Sequence, residues 1–282
     1  MLRSTQKSLV LLVISLAGIF GTNLGSTLVN RESANRERIL EEQPIWNGFS
    51  EYDTLVLATS WQGSICSVKK CTPGLLANKN FFNIHGVWPN LSSDFRNSPF
   101  FCKPHTIKLE DLSESDKRLV NYYWISFYND ASWFLNHEWS KHGTCWIPND
   151  KDITNTIPEL KSLIKTAVQQ YKKDDIAGLK SSYVRLNIIL GLKYNLFKAL
   201  SENGILPDNH RRIRTSDIGQ AIRNAFGPSA YHLNCLYDIN TGQHYINELK
   251  FSLDLNYRPN GTWKFTTECP ELLVYPEYKV VV

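Results

Sequence analysis

The sequence predicts an α+β fold, a largely antiparallel β-sheet core with several inserted α-helices. Three observations predict it. Short apolar or alternating runs rich in β-branched and aromatic residues lie at both ends of residues 50–282. Segments of helical periodicity fill the middle. No internal repeat, low-complexity tract or linker interrupts the stretch, so strands and helices are expected to share one core.

Taken in order, the chain opens with a targeting pattern. Arg3 and Lys7 precede the apolar run LVLLVISLAGIF, residues 9–20, and the small residues of GTNLGS follow. That run is shorter than the about 20 residues a membrane span needs, so residues 1–25 read as a signal peptide. Residues 26–49 are charged and poor in packing residues, which suits an N-terminal arm or pro-segment, or else a short exposed helix. A single catalytic domain is expected over 50–282. No later stretch is long and apolar enough to cross a bilayer, so the mature chain is expected off the membrane, and as a monomer.

Within that domain, YDTLVLATSW (52–61) reads as a buried strand and FFNIHGVWP (81–89) as a second one, broken by Gly86 and Pro89. Helical periodicity runs from Leu109 to Tyr128, and Asp130 or Ser132 is placed to cap a further helix over WFLNHEWSKHGTC, residues 133–145. IPELKSLIKTAVQQYKK (157–173) and SSYVRLNIILGLKYNLFKALSENG (181–204) predict two more helices, the second stopped by Gly204 and Pro207. TSDIGQAIRNAFG (215–227) adds another, with a cap-like Ser216–Asp217 and a terminal Gly227. YHLNCLYDI, QHYINELKFSLDLN and TWKFTTEC then alternate as a meander of strands. HRRIR, residues 210–214, reads as a solvated basic loop.

Composition narrows the class without choosing a function. Hydrophobic residues make up 42% and charged residues 21%, ordinary values for a globular protein, and the formal net charge of +4 allows an anionic substrate without demanding one. Six cysteines behind a signal peptide suggest three disulfides, with fifteen connectivities open. Sequons at Asn90 (NLS) and Asn260 (NGT) mark glycosylation candidates and agree with a secretory route.

The chemistry concentrates in HEWSKH. Its two histidines are five apart, about 140° around a helix, whereas a zinc-protease helix needs them four apart on one face. On a helix, His137, Glu138, Lys141 and His142 share one broad face while Trp139 points away. Glu138 with His142, and His137 with Lys141, are one turn apart, so each sets its neighbour's pKa. The bland alternative is a solvated helix face laced with charge pairs. NIHGVWPN supplies what the helix lacks: His85 at a strand end, a permissive Gly86, and the flat indole of Trp88. Two imidazoles can divide one reaction, one removing a proton and one donating it. With a lysine for phosphoryl charge and an aromatic plate for a base, these parts describe RNA cleavage without metal, the substrate's own 2′-OH acting as nucleophile.

HGVWP and HEWSKHGTC resemble the two active-site segments of the ribonuclease T2 family, the acid ribonucleases of fungi, plants and animals. DTLVLATSWQGSIC is similar to that family's first strand and following cysteine, and INELKFSLD and TEC to its last strands, so the resemblance spans roughly residues 52–270. It implies His85 as general acid toward the leaving 5′-oxygen and His142 as general base on the 2′-OH. It also implies phosphate binding by His137, and stabilisation of the pentacoordinate state by Glu138 and Lys141. Trp88 would stack the first base, Asn90 would contact it, and Phe134 would lie near the second base pocket. The implied disulfides are Cys66–Cys71, Cys102–Cys145 and Cys235–Cys269. Val87 stands for a commoner leucine and Leu135 for a usual tryptophan, both still apolar.

The resulting expectation is an endoribonuclease of the secretory pathway, extracellular or in a lysosomal or vacuolar lumen. It would act on single-stranded RNA with no cofactor and no metal, leaving 2′,3′-cyclic phosphate and then 3′-phosphate ends. Unperturbed imidazoles imply a bell-shaped, acid-leaning pH profile. The rival from another class is a secreted binding or signalling protein that keeps the fold with little turnover. The presence of all five of His85, His137, Glu138, Lys141 and His142 weighs against it. A metal-dependent phosphoesterase is disfavoured by the lack of ligand spacing. No phosphate-cradling GxxxxGK[ST], nucleophile elbow or CxxC is present.

Overall fold

Strand β1 (Thr54–Ser60) has two destinations for its side chains. Leu55, Leu57 and Thr59 face the same way as their antiparallel partners Leu253, Phe251 and Leu249 on strand β5 (Gln243–Leu253). All six are buried and form the core side of the sheet. Val56, Ala58 and Ser60 face the other way, opposite Ser252, Lys250 and Glu248. That side is built of small and polar residues, and the candidate site is assembled on it. The computed structural model describes residues 51–280 apart from 75–76, 94, 128–129, 229–230 and 262–266. The signal peptide and arm expected over residues 1–49 lie outside the described residues.

Strand β2 (Asn83–Asn90) flanks β1, and the sheet continues through β3 (Asp208–Arg214), β4 (Tyr231–Asp238) and β6 (Leu272–Tyr275) in the order β2-β1-β5-β6-β3, with β4 paired along β5. Every pairing between these strands is antiparallel except β5 with β6. One irregularity controls the site. Ala58 pairs with Gly86 and Thr59 with Ile84, so His85 is the extra residue of a β-bulge. A bulge interrupts strict alternation and re-aims a side chain. His85 and Trp88, three residues apart, thereby meet with ring centroids 5.1 Å apart. The bulged carbonyl of His85 accepts from the indole N–H of Trp124 at 2.8 Å.

Helix α1 (Gln62–Val68) follows β1 directly. The stretch expected as one helix over 109–128 is a 3₁₀ turn at Leu109–Asp111 and then α2 (Glu114–Tyr123), started by the Ser113 hydroxyl accepting from the Asp116 N–H. Helix α3 (Ala131–Lys141) is capped by Asp130, whose carboxylate accepts from Trp133 N–H at 3.1 Å, while Ser132 accepts from Leu109 N–H instead. Helix α4 spans Lys161–Lys172. The single helix expected over 181–204 is two, α5 (Ile176–Lys193) and α6 (Leu196–Glu202). Tyr194 leaves helical backbone at φ −104°, ψ 53°, its hydroxyl donating to the Tyr257 carbonyl, and Asn195 caps the new helix.

Helix α7 (Thr215–Phe226) takes Ser216 and Asp217 into its first turn rather than at its cap, and Gly227 ends it at φ 80°. HRRIR forms edge strand β3 rather than a loop, its exposed cations protecting an open edge. Most of the strand expected at TWKFTTEC falls in 262–266, outside the described residues. The last strand is Leu272–Tyr275.

Helix α5 explains why the core side stays dry. Leu179, Val184, Leu186, Ile188 and Leu190 are buried on it, and it packs against β2 and β1. Each such side chain contributes about 1.5–3 kcal/mol on burial. Its Tyr183 donates to the Val87 carbonyl at 2.7 Å, fixing the helix to the motif strand.

Disulfides join Cys66 to Cys71, Cys102 to Cys145 and Cys235 to Cys269. The first closes a separation of 5 residues and the second one of 43. Loop entropy assigns them about 2 and about 4 kcal/mol. Thermal denaturation of the two double-serine variants should therefore show the larger loss of Tm for Cys102/Cys145. Equal or reversed losses would contradict this ranking.

Candidate active site

Helix α3 presents Leu135, Glu138 and Trp139 inward and leaves His137 and Lys141 half-exposed. Trp139 packs edge-on against Tyr183, centroids 5.6 Å apart, and anchors the helix from behind as its position in the sequence implied. Glu138 is the unusual member. It is 1% exposed, and a buried carboxylate needs partners. Its Oε2 accepts from the Trp88 indole N–H at 2.8 Å, and its Oε1 lies 3.4 Å from His85 Nε2. Burial raises its pKa, but His85, His142 and the indole hydrogen bond outweigh that and hold the carboxyl below its ordinary value.

Gly86 is required by this contact. A Cβ at residue 86 would sit 2.6 Å from Glu138 Oε2 and closer still to the Trp88 indole nitrogen. The glycine therefore makes room for the Trp88–Glu138 hydrogen bond. Gly143 has a similar role at the other end of α3, where a Cβ would meet Trp139 at 2.5 Å and Tyr183 at 2.9 Å.

His85 lies between two carboxylates. Its Nε2 faces Glu138 and its Nδ1 is hydrogen-bonded to Glu248 of β5. Burial pulls the imidazole down, but Glu138 and Glu248 together lift its pKa to about 10. His142, at the C-cap of α3, is in the opposite state. It stacks on Trp88 with centroids 4.8 Å apart and planes 23° apart, and its buried Nδ1 has no hydrogen-bond partner. Burial, opposed by Glu138 and reinforced by Lys141, pushes its pKa down to about 3.

His137 stacks on Trp133, centroids 5.4 Å apart, and burial with the nearby Lys141 and His85 charges outweighs Glu138 to lower its pKa. Together with His85, Trp133 and Phe134 it lines a cavity of about 210 Å³ that also touches Ser60, Asn83 and Ser126. Phe134 lies 5.6 Å from the His85 ring. The far wall is fixed by Asn83, which both donates to and accepts from the Ile125 backbone.

The fold thus brings His85, Glu138 and His142 around Trp88, and His137 with Phe134 around the neighbouring cavity. Asn90 is not part of either group. It is 7% exposed, its carbonyl accepts from Ser98 at 2.6 Å and its nitrogen donates to Leu91. In this arrangement it fastens a turn. Sequence reasoning missed Glu248 and Lys250. Lys250 Nζ lies 2.8 Å from Glu248 Oε2 and 5.3 Å from the Trp88 ring centroid. Their signal is an opposite-charge pair two apart in a strand, hence on one face. Among the described residues no group of three or more His, Cys, Asp or Glu is arranged to hold a metal ion.

Residues 52–264 match the Ribonuclease T2 family. Ribonuclease Rh of Rhizopus niveus is 27% identical over 231 residues, which cover 77% of this chain and 80% of that protein. Ribonuclease T2-A of Mus musculus is 33% identical over a shorter 106 residues, 36% of this chain and 37% of that one. Among solved structures, RNase NT in complex with 5′-AMP superposes with a TM-score of 0.56 at 21% identity, covering 81% of this chain and all (100%) of that one, a likeness of fold.

Trp88→Phe keeps a ring but leaves Glu138 Oε2 buried and unpaired, a cost of about 1–3 kcal/mol. The variant should lose about 2–12 °C of Tm and show a raised Glu138 pKa by carboxyl NMR. An unchanged Tm and carboxyl titration would mean that the indole N–H does not support that carboxylate.

Proposed function

The chain belongs to the ribonuclease T2 family, and from that premise we propose that this ribonuclease cleaves single-stranded RNA by attack of the 2′-OH on the adjacent phosphorus. The products are a 2′,3′-cyclic phosphate and, after a slower hydrolysis, a 3′-phosphate. The observation that carries the reading is the opposite condition of two imidazoles beside one indole. His85, between two carboxylates, keeps its proton and serves as general acid to the departing 5′-oxygen. His142, stacked on Trp88 with its buried Nδ1 unpaired and no carboxylate bonded to it, stays neutral and takes the 2′-OH proton. The chemistry balances: the 2′-oxygen gains phosphorus and loses its proton to His142, and the 5′-oxygen loses phosphorus and gains the proton of His85.

His137 and Lys141, one turn apart on α3, face charge that grows on the phosphoryl oxygens, and Glu138 holds His85 and Trp88 in register. The cavity beside Phe134 and Trp133 suits a flat base, and a second base would stack at Trp88 once one face of the indole is presented to it. The three disulfides support a route through the secretory pathway, to the outside or to a lysosomal or vacuolar lumen. No helix among the described residues is long and apolar enough to cross a membrane. Asn260 is the proposed glycan acceptor, with mass spectrometry of the secreted chain as its test. Full occupancy at Asn90 instead would reverse that assignment.

Purified enzyme should cleave RNA in EDTA and leave DNA, which lacks the 2′-OH, intact. Its kcat/KM on a dinucleoside monophosphate should rise through about pH 3 as His142 loses its proton and fall through about pH 10 as His85 does. This window is broader than unperturbed imidazoles allow. His85→Ala and His142→Ala should each lose about two to four orders of magnitude. Activity abolished by EDTA and restored by zinc would overturn the reading.

A further inference from the structure

Glu138 alone does not account for His85. It approaches Nε2, the nitrogen that must turn to the leaving group, and its other oxygen is already taken by the Trp88 indole. A carboxylate on that side competes with the substrate for the same proton. The opposite nitrogen, Nδ1, is held by Glu248, which is 12% exposed and comes from β5. A group on Nδ1 can orient the ring and support its charge without standing in the path of the reaction.

We infer that Glu248 is a positioning residue of the cleavage reaction: held by Lys250, it fixes His85 through Nδ1 so that Nε2 presents its proton to the leaving 5′-oxygen. The inference rests on the reading of His85 as the general acid. The sheet places Glu248 without freedom to drift. Its backbone pairs with Ser60 and that of Lys250 with Ala58, which itself pairs with Gly86, so small residues leave both long side chains room above the sheet. The Lys250 ammonium occupies the second Glu248 oxygen at 2.8 Å and also lies over Trp88. His85 is surrounded by Glu138, His137 and His142 from α3 and its end, and by Glu248 and Lys250 from β5. Of these, Glu248 hydrogen-bonds it and Glu138 faces its other nitrogen at 3.4 Å.

The test uses the whole secreted chain in three variants. Glu248→Gln keeps an acceptor for Nδ1 and deletes the charge; Glu248→Ala deletes both; Lys250→Met keeps both partners of His85 and frees Glu248. Two readouts are followed, the His85 titration by NMR and the pH dependence of kcat and KM on a dinucleoside monophosphate. In Glu248→Gln the His85 titration should fall by about one unit or more, with the basic limb of kcat/KM falling in step. Glu248→Ala should in addition lower kcat on the order of tenfold or more, with KM held within about twofold. Lys250→Met should lower kcat less, with no fall in the His85 titration, and it decides the matter should the Glu248 variants fail to fold. A purely structural role would lower Tm and leave the titration and the basic limb in place, and that result overturns the inference. Wild-type protein that does not cleave RNA would instead overturn the reading of the site itself, so the two failures are distinct.

Discussion

The carboxylate of Glu138, buried to 1% exposure, is the constraint around which the site is organised. An unpaired charge in that position would be strongly destabilising. The fold meets the demand with groups from β2, an indole N–H and an imidazole, and so fixes helix α3 against that strand. Strict alternation cannot supply both groups, because residues 85 and 88 would project to opposite faces. The bulge at His85 removes that conflict, Trp124 satisfies the displaced carbonyl, and Gly86 leaves the space the indole and carboxylate fill. Four sequence features that look independent (the histidine, the glycine, the tryptophan and the distant glutamate) answer one electrostatic requirement.

The C-terminal end of α3 is held as firmly as its middle. Cys145 is bonded to Cys102, the Phe101 N–H donates to the Lys141 carbonyl at 2.9 Å, and Thr144 accepts from Cys102 N–H while donating to Ser140. Tyr183 closes the packing from α5, touching Trp124, Trp139 and Trp146. The rigid elements therefore meet where the proton chemistry is proposed, and the side chains of His142 and Lys141 inherit their positions from a clamped backbone. Reactions that depend on orientation gain most from such support.

Much of this was legible in the chain. The helix of HEWSKH, its cap at Asp130 or Ser132, the Trp139 turned away from the ionisable face and the first two strands follow from periodicity and capping chemistry. The family resemblance implied the disulfide pairs. What escaped was governed by tertiary contact. The bulge leaves no mark in a strand of eight residues, because Gly86 reads equally as a turn or as a close approach. The break between α5 and α6 lies inside a strongly helical composition and is set by the bond of Tyr194 to Tyr257, 63 residues away. The inward turn of Asn90 depends on Ser98, and a sequon carries no sign of burial. Glu248 and Lys250 went unread because sequence alone does not tell which face of β5 meets which part of β2.

The asymmetry between the two imidazoles originates in that last element. Glu138 attracts both rings, raising the proton affinity of His85 and of His142 alike, so it cannot by itself make one an acid and the other a base. What separates them is hydrogen bonding. His85 has Glu138 3.4 Å from one nitrogen and Glu248 bonded to the other, whereas His142 stacks on an indole and acts on Glu138 only through space. Burial penalises the cation in both, and only where carboxylates are bonded directly is the penalty exceeded. Short motifs supply the groups proposed to react. Their proposed division of labour comes from a strand more than one hundred residues further along the chain, paired with β1 so that its glutamate stands beside the bulge.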